Sequence, residues 1–167
     1  MENVVANAVE DKKADDAFVN SHMDWTMKLL QKVISEGEGE NVLISPLSIQ
    51  LALAMTANGA EGQTKKEMEA LLGGDVSLET LNAYLHTYAK NLPSEENCKV
   101  KTANSIWFRD NEAEFSPNQA FLQTNADYYN AQIYKAPFNE QTLQDINTWV
   151  DTYTDGMIDK ILEEIDG

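Results

Sequence analysis

Few side chains in this sequence could do acid–base, nucleophilic or metal chemistry. It contains two histidines, His22 and His86, and one cysteine, Cys98. The histidines are predicted on different helices, and neither belongs to an HExxH or comparable spacing of metal ligands. A thiol needs a neighbouring base or cation to become a nucleophile, and candidate bases are scarce here. We therefore interpret Cys98 as a partly buried small apolar residue, or as a free residue at the entry of a strand.

The acidic residues offer another route to chemistry. Asp151, Asp155 and Asp159 recur about one helical turn apart, a spacing that would suit a weak cation site on one helix face. The ligand spacing of an EF-hand loop is missing, however, and adjacent pairs such as Glu95-Glu96 do not converge on a helix face. The sequence also lacks the GxGxxG, P-loop and GxSxG motifs. We therefore predict no metal, no cofactor and no enzymatic activity.

Polar residues in apolar surroundings are the remaining candidates. Ser45 has the position of a helix N-cap, Pro46 follows at the first helical position, and burial of Ser48 without partners would be costly. Asn104 shares a predicted strand face with apolar residues. These residues are either caps and hydrogen-bonded core groups, or part of a hydrogen-bonded zone that holds a sheet closed until it is triggered.

Length and composition indicate one globular domain. The chain has 167 residues, 43% of them hydrophobic, and its 28 acidic and 12 basic side chains give a net charge of -16 at pH 7. Such acidity favours solubility and repels nucleic acid and anionic membranes at long range, so we expect neither as a partner. No run approaches the roughly 18 apolar residues that span a bilayer. Residues 1–16 lack the apolar core of a signal peptide.

Apolar periodicity and cap signals predict an α+β chain in which helices dominate. Residues 1–15 are expected to be a flexible lead-in, and 16–167 to form one continuous unit. The predicted helices begin at Asp16, at Leu47, at a Thr64–Glu67 capping box, after the N-cap Ser77, at Pro117 after the N-cap Ser116, and near Thr142. The predicted strands are 42–44, 99–108 and 131–138.

The predicted helix over 47–57 is apolar around most of its circumference. This pattern indicates a helix that is buried on nearly all sides. Because a small domain can hardly enclose a helix completely, the pattern points to packing partners beyond the elements predicted here.

Several segments, in the same order, resemble motifs of the serpin family. Residues 41–49, NVLISPLSI, are similar to the segment that leads from a sheet B strand into helix B, and 59–64, GAEGQT, to its continuation into helix C. Residues 102–107, TANSIW, resemble a strand of sheet A, and 128–131, YYNA, the link into the next strand. Residues 146–158, INTWVDTYTDGMI, are similar to helix F. The resemblance covers nearly everything after residue 16.

The resemblance implies a serpin-like fold, with helices A to F and a few strands of sheets A and B. In that fold the middle of sheet A parts at a shutter region to accept the cleaved reactive loop, and helix F lies across the sheet and must yield. The residues that the resemblance assigns to the shutter region are Ser45, Pro46, Ser48 and Asn104. Those that it assigns to helix F are Asn147, Trp149, Thr154 and Gly156. Their implied roles are mechanical rather than catalytic.

The resemblance also implies an activity, which is inhibition of serine or cysteine proteases by suicide insertion of the reactive loop. The reactive centre is expected outside this sequence, so the implied partners are a target protease and the carboxy-terminal remainder of the serpin. A glycosaminoglycan activator is not expected, because Lys90 is the only basic side chain on the helix after Ser77 apart from His86. The family favours a secreted, extracellular protein, with the cytoplasm as the alternative.

Two other functions stay open at this point. A non-inhibitory serpin would act as a carrier, a store or a chaperone. A protein of a different class would be a free-standing acidic helical binding module that shares only its ancestry with serpins.

Overall fold

The computed structural model describes residues 4–37, 39, 41–111 and 116–165. The helices in these ranges are α1 Asp16–Glu36, α2 Pro46–Ala57, α3 Gly62–Gly73, α4 Leu78–Lys90, α5 Gln119–Tyr129 and α6 Glu140–Tyr153. The strands are β1 Ser94–Glu95, β2 Cys98–Lys99, β3 Ser105–Arg109 and β4 Gln132–Ala136. Within the described ranges, no helix is long and apolar enough to cross a membrane.

Three helices begin as predicted. α1 begins at Asp16, where the carboxylate of Asp15 accepts a backbone N–H of the first turn. The hydroxyl groups of Ser45 and Ser77 cap α2 and α4 in the same way, and Pro46 occupies the first position of α2. These starts are determined within four residues of chain, so the local sequence is sufficient to predict them.

The starts predicted for α3 and α5 are wrong, whereas α6 begins at Glu140, close to the predicted Thr142. Thr64 lies inside α3, whose start has no side-chain cap. Asn118 caps α5 in place of Ser116, since its side-chain oxygen accepts two N–H groups of the first turn. Asn139 caps α6 and forms a capping box with Thr142, which was expected to be the start of the helix. Where several cap-forming residues are close together, the path of the preceding chain decides between them.

The strands form two small sheets. β3 and β4 pair in parallel, with Ser105 opposite Gln132 and Arg109 opposite Ala136, while β1 and β2 form an antiparallel hairpin. The strands predicted over 99–108 and 131–138 are present in shortened form. The strand predicted over 42–44 is wrong, because these residues pair with none of the described strands and Leu43 is 98% exposed. An apolar run becomes a strand only where a neighbouring strand takes its hydrogen bonds.

Helix α2 lies at the centre of the described core and contacts α1, α3, α4 and α5. Its buried residues are Gln50, Leu51, Ala54, Met55 and Ala57. The opposite face, with Ser48, Ala52 and Thr56, is exposed. Burial on nearly all sides was therefore not the right expectation for this part of the structure. A groove, rather than a packed element, lies over the second face of α2.

The lead-in has no regular secondary structure between residues 4 and 15 and runs over α4 and α5. The backbone N–H of Asn7 donates to the carboxylate of Asp127 at 2.7 Å, and the backbone N–H of Lys12 donates to the Thr87 hydroxyl at 2.8 Å. The ammonium group of Lys90 pairs with the carboxylate of Asp11 at 2.8 Å. The flexibility expected for residues 1–15 stays a prediction.

Candidate functional site

The serines of the expected shutter region form a local cap. The hydroxyl oxygens of Ser45 and Ser48 are 2.8 Å apart, and the Ser45 hydroxyl accepts the backbone N–H of Ser48 at 3.4 Å. Ser48 is exposed, so the expectation that it is a buried polar group is wrong. Its hydroxyl is satisfied within the first turn of α2 and faces outward.

Asn104 ties the start of β3 to the α5–β4 connection. Its side-chain N–H donates to the carbonyl of Tyr129 at 2.9 Å, and its own carbonyl accepts the N–H of Gln132 at 2.9 Å. This half-buried residue is thus a hydrogen-bonded polar group at the edge of the sheet. Within the described part of the chain, neither Ser45 nor Ser48 is hydrogen-bonded to Asn104.

The groove over the open face of α2 brings two of the expected site residues together. It has a volume of about 850 Å³ and lies between α2, the start of β3, α5 and α6. Asn104 and Trp149 line it, together with Ala52, Ile106 and Phe121. The structure therefore brings Asn104, expected in the shutter region, and Trp149, expected on helix F, to one groove. Ser45 and Ser48 lie at the start of α2 and do not line it.

Asn147 fastens the chain that follows α6 back onto the helix. Its side-chain oxygen accepts the backbone N–H groups of Ile161 and Leu162 at 2.9 Å and 3.0 Å. Its side-chain N–H donates to the carbonyl of Leu162 at 3.0 Å. One side chain thus satisfies three backbone groups of a segment that has no regular secondary structure to satisfy them.

Thr154 and Gly156 form the end of α6 rather than part of its interior. Thr154 is the C-cap residue, and its hydroxyl accepts the N–H of Ile158 at 3.0 Å. Gly156 has a φ of +77°, a conformation that favours glycine over residues with a Cβ. Asp155 and Asp159 therefore lie beyond the helix, and the helix face predicted to carry them with Asp151 does not form.

Trp149 connects α6 to the sheet through a residue that the sequence analysis did not single out. Its indole N–H donates to the side-chain oxygen of Gln132 on β4 at 3.0 Å. The hydroxyl of Tyr134 also donates to this oxygen, and the amide nitrogen of Gln132 donates to the hydroxyl of Tyr153 on α6. The available signal was the alternation of β4, which places Gln132 and Tyr134 on one face.

A second polar cluster escaped the sequence analysis. Asn82 is 3% exposed, donates to the side-chain oxygen of Asn58 at 2.8 Å and accepts the hydroxyl of Tyr129 at 2.5 Å. Asn58 in turn donates to the side-chain oxygen of Asn125, at 3.2 Å. Burial raises the pKa of the Tyr129 hydroxyl far above its usual range, so the group acts as a neutral donor. The cluster joins α2, α4 and α5.

Both histidines and the N-cap residue Asp15 have structural partners. Nδ1 of His22 lies 2.6 Å from the side-chain oxygen of Gln50, and Nδ1 of His86 lies 3.0 Å from the carbonyl of Tyr128. A hydrogen bond from the Tyr84 hydroxyl lowers the pKa of the Asp15 carboxyl, as does the backbone N–H of the first turn of α1. Among the described residues, no group of three or more His, Cys, Asp or Glu could hold a metal ion.

Cys98 and Lys101 are further polar residues on or beside the β1–β2 hairpin. Cys98 is exposed at the start of β2, which agrees with the second of its two predicted settings. The ammonium group of Lys101 pairs with Asp155 and lowers the pKa of that carboxyl. The described polar groups thus act as caps, ties and ion pairs.

Comparison with known proteins identifies the fold to which this arrangement belongs. The family model described as Serpin (serine protease inhibitor) matches residues 20–167. The chain belongs to the serpin family. Serpins are generally protease inhibitors rather than enzymes. Neuroserpin of Mus musculus is 33% identical over 155 residues, which are 86% of this chain and 36% of that protein.

Solved serpin structures match more of the chain. The thermophilic serpin tengpin in its native state is 51% identical, with a TM-score of 0.88 over 99% of this chain and 42% of tengpin. Tengpin in its latent state is 52% identical, with a TM-score of 0.86 over 94% of this chain and 42% of that structure. The α+β serpin fold is thereby confirmed. The chain spans less than half the length of the serpins that it matches here.

Proposed function

We propose that the protein containing this segment inhibits serine or cysteine proteases by inserting a cleaved reactive loop into sheet A. The observation that carries the proposal is the similar match of this chain to tengpin in two states, with TM-scores of 0.88 to the native form and 0.86 to the latent form. A segment with nearly the same fold in both states is suited to be the frame against which other parts of a serpin move.

The proposal gives each group of residues a mechanical role. β3 and β4 supply part of sheet A, and its remaining strands and the reactive loop come from the carboxy-terminal remainder. The open face of α2, the groove beside it and Asn104 would form the shutter region with Ser45, Pro46 and Ser48. Helix α6, with Asn147 and Trp149, would be displaced during insertion and return afterwards.

The partners in this proposal are a target protease and the carboxy-terminal remainder. We propose an extracellular location along with them, on family resemblance. Glycosaminoglycan activation has no part in the proposal, because Lys90 on α4 is already paired with Asp11 and the chain as a whole carries a net charge of -16.

The test is a screen of the full-length protein against trypsin-like, elastase-like, subtilisin-like and papain-like proteases. We expect at least one protease to form a complex that survives denaturing electrophoresis, because the suicide mechanism leaves an acyl bond between the two proteins. Cleavage by all of them without any such complex would contradict the proposal and favour a non-inhibitory carrier, store or chaperone.

A further inference from the structure

The side-chain amide of Gln132 lies at the centre of the contact between α6 and the β3–β4 pair. Its oxygen accepts the indole N–H of Trp149 at 3.0 Å and the hydroxyl of Tyr134, and its nitrogen donates to the hydroxyl of Tyr153. Two of these partners belong to α6 and one to β4. One uncharged side chain thus joins both layers, and we call Gln132 with its three partners the amide hub.

Aromatic rings surround the amide hub on both sides. On the sheet, the rings of Trp107 and Tyr134 are stacked with centroids 4.2 Å apart. On α6, the rings of Trp149 and Tyr153 are 4.8 Å apart. On α6, the indole N–H of Trp149 and the hydroxyl of Tyr153 both meet the Gln132 amide. On the sheet, the Tyr134 hydroxyl meets it, while the indole N–H of Trp107 donates to the Ser105 hydroxyl at 2.9 Å. Tyr153 is 39% exposed and Gln132 and Trp149 are half-buried, so the hydrogen bonds of the hub lie at an edge of the contact that water can reach.

The rest of α6 has a small share in the apolar core. The main core cluster of buried residues draws on α1 to α5 and on both long strands, and within the described part of the chain it includes no residue of α6. Val150 is buried at 8% exposure, but outside that cluster. Polar and aromatic groups therefore have a large part in the contact of α6 with the β3–β4 pair, and the amide hub joins Trp149 and Tyr153 of the helix to β4.

Directional hydrogen bonds behave differently from apolar contacts when a helix lifts. The three bonds of the amide hub share one side chain, so a displacement of α6 by a few ångströms breaks both bonds to the helix together. Water can replace each of them, which keeps their net contribution small compared with their strength in the closed state. This combination gives a contact that is specific in position and can still be released.

We infer that Gln132 is a positioning residue that holds α6 on the sheet and thereby sets how fast the sheet can accept an inserted strand. The effect on the rate of insertion rests on the proposed function, because insertion requires α6 to move away from the sheet. The hold of Gln132 on α6 itself is a property of the described contacts. The two parts can therefore be measured separately in the full-length protein.

The test compares Gln132→Met, Gln132→Glu and Tyr153→Phe with the wild type by hydrogen exchange. Gln132→Met keeps the length of the side chain and removes all three bonds, so we expect the amides of 140–153 to exchange about five- to tenfold faster. Tyr153→Phe removes one bond and is expected to have a smaller effect, about two- to threefold. Gln144→Met, at an exposed position of the same helix, is the control and should match the wild type.

Gln132→Glu is the conservative variant, which should keep the hydrogen bonds between α6 and β4. A carboxylate still accepts from Trp149 and Tyr134, and the Tyr153 hydroxyl can rotate and donate to its second oxygen. We expect this variant to show near wild-type exchange in α6 at neutral pH. A merely space-filling role for Gln132 would predict the opposite order, with the apolar methionine tolerated and the charge of a half-buried glutamate harmful.

The functional arm measures how the inhibitor divides between covalent complex and cleaved product. Faster insertion traps more protease before the acyl bond is hydrolysed, so Gln132→Met should lower the ratio of cleaved to complexed inhibitor about fivefold. Wild-type exchange of α6 in Gln132→Met, or an equal rise of exchange in α1 to α5, would overturn the inference. Failure of the wild type to form any complex would overturn the proposed function. The hydrogen-exchange comparison would still test whether Gln132 holds α6 on the sheet.

Discussion

Individual buried amides carry much of the specificity of this fold. Asn58, Asn82 and Asn125 satisfy one another across three helices, although they are far apart in sequence, by 24 residues from Asn58 to Asn82 and by 67 from Asn58 to Asn125. Asn125 also donates to the carbonyl of Met55 at 3.3 Å. A buried cluster of this kind stabilises one arrangement of the helices, since any other leaves several polar groups unsatisfied.

Replacement of Asn82 should therefore be strongly destabilising. Asn82→Ala removes the acceptor for the Tyr129 hydroxyl, leaves Asn58 with an unpaired oxygen and creates a cavity, so we expect a loss of about 3 kcal/mol in the free energy of unfolding. Urea denaturation measures this loss. The matched variant Tyr129→Phe removes only the hydroxyl and should cost about 1 kcal/mol.

The control for this comparison is Asn20→Ala on the exposed face of α1. It should leave the free energy of unfolding within about 0.5 kcal/mol of the wild type. Equal stabilities for Asn82→Ala and Asn20→Ala would show that the asparagine cluster contributes nothing to the fold.

Among the secondary-structure elements, α6 and the chain that follows it form one unit. The sequence predicts an interruption of the helix at Asp155-Gly156. The helix ends at Tyr153, and the chain turns through Thr154 and Gly156. The returning chain is tied down by Asn147, a residue of α6 that sequence analysis could assign to helix F but not to a partner. A side chain whose hydrogen-bond partner lies 14 residues further along the chain leaves no periodic pattern in the sequence.

Removal of this tie should release the returning chain without unfolding the domain. Asn147→Ala leaves the backbone groups of Ile161 and Leu162 to water, so we expect the amides of 157–165 to exchange about tenfold faster. The melting temperature should change by only a few degrees, because the segment is mostly exposed. Hydrogen exchange resolved by peptide separates the two effects.

Thr148→Ala is the matched control, since Thr148 is an exposed neighbour on the same helix. It should leave exchange in 157–165 unchanged. If Asn147→Ala raised exchange throughout α1 to α5, Asn147 would be a core residue rather than a local tie.

The molecule as a whole presents an acidic surface with uncovered apolar parts. Leu43 is 98% exposed, Met157 82% and Ile161 60%, and one face of α2 is open to the groove. A net charge of -16 opposes association at long range, whereas apolar patches of this kind promote it at contact. This combination is typical of a unit that is covered by further structure.

Residues 1–167 produced alone should therefore bind a hydrophobic dye and self-associate once salt screens their charge. Dye fluorescence and elution volume at low and high salt measure these properties. Supply of the carboxy-terminal remainder should lower the dye signal, because it would cover the same surfaces. A sharp thermal transition with monomeric elution and no dye binding would instead favour a free-standing acidic binding module.

The presence of the helices, their order and the family could be predicted from the amino-acid sequence, although the starts of α3 and α5 could not. Each helix is stabilised by bonds between residues four apart, and the caps at Ser45 and Ser77 act within three residues, so periodicity and composition are sufficient to predict them. The motifs around 41–49 and 146–158 resemble serpin segments for a similar reason, since they are read from contiguous residues.

Tertiary structure alone decided which distant groups meet. The 42–44 run has strand composition but no described strand beside it, and the face of α2 with Ser48, Ala52 and Thr56 is covered by no described element. Glutamine and asparagine are common at protein surfaces, so the local sequence does not mark Gln132 or Asn82 as buried or bonded. Packing alone brings Gln132 to Trp149 on α6 and Asn82 to Tyr129 on α5. The physical reason is that burial and hydrogen bonding across layers depend on neighbours that the local sequence does not specify.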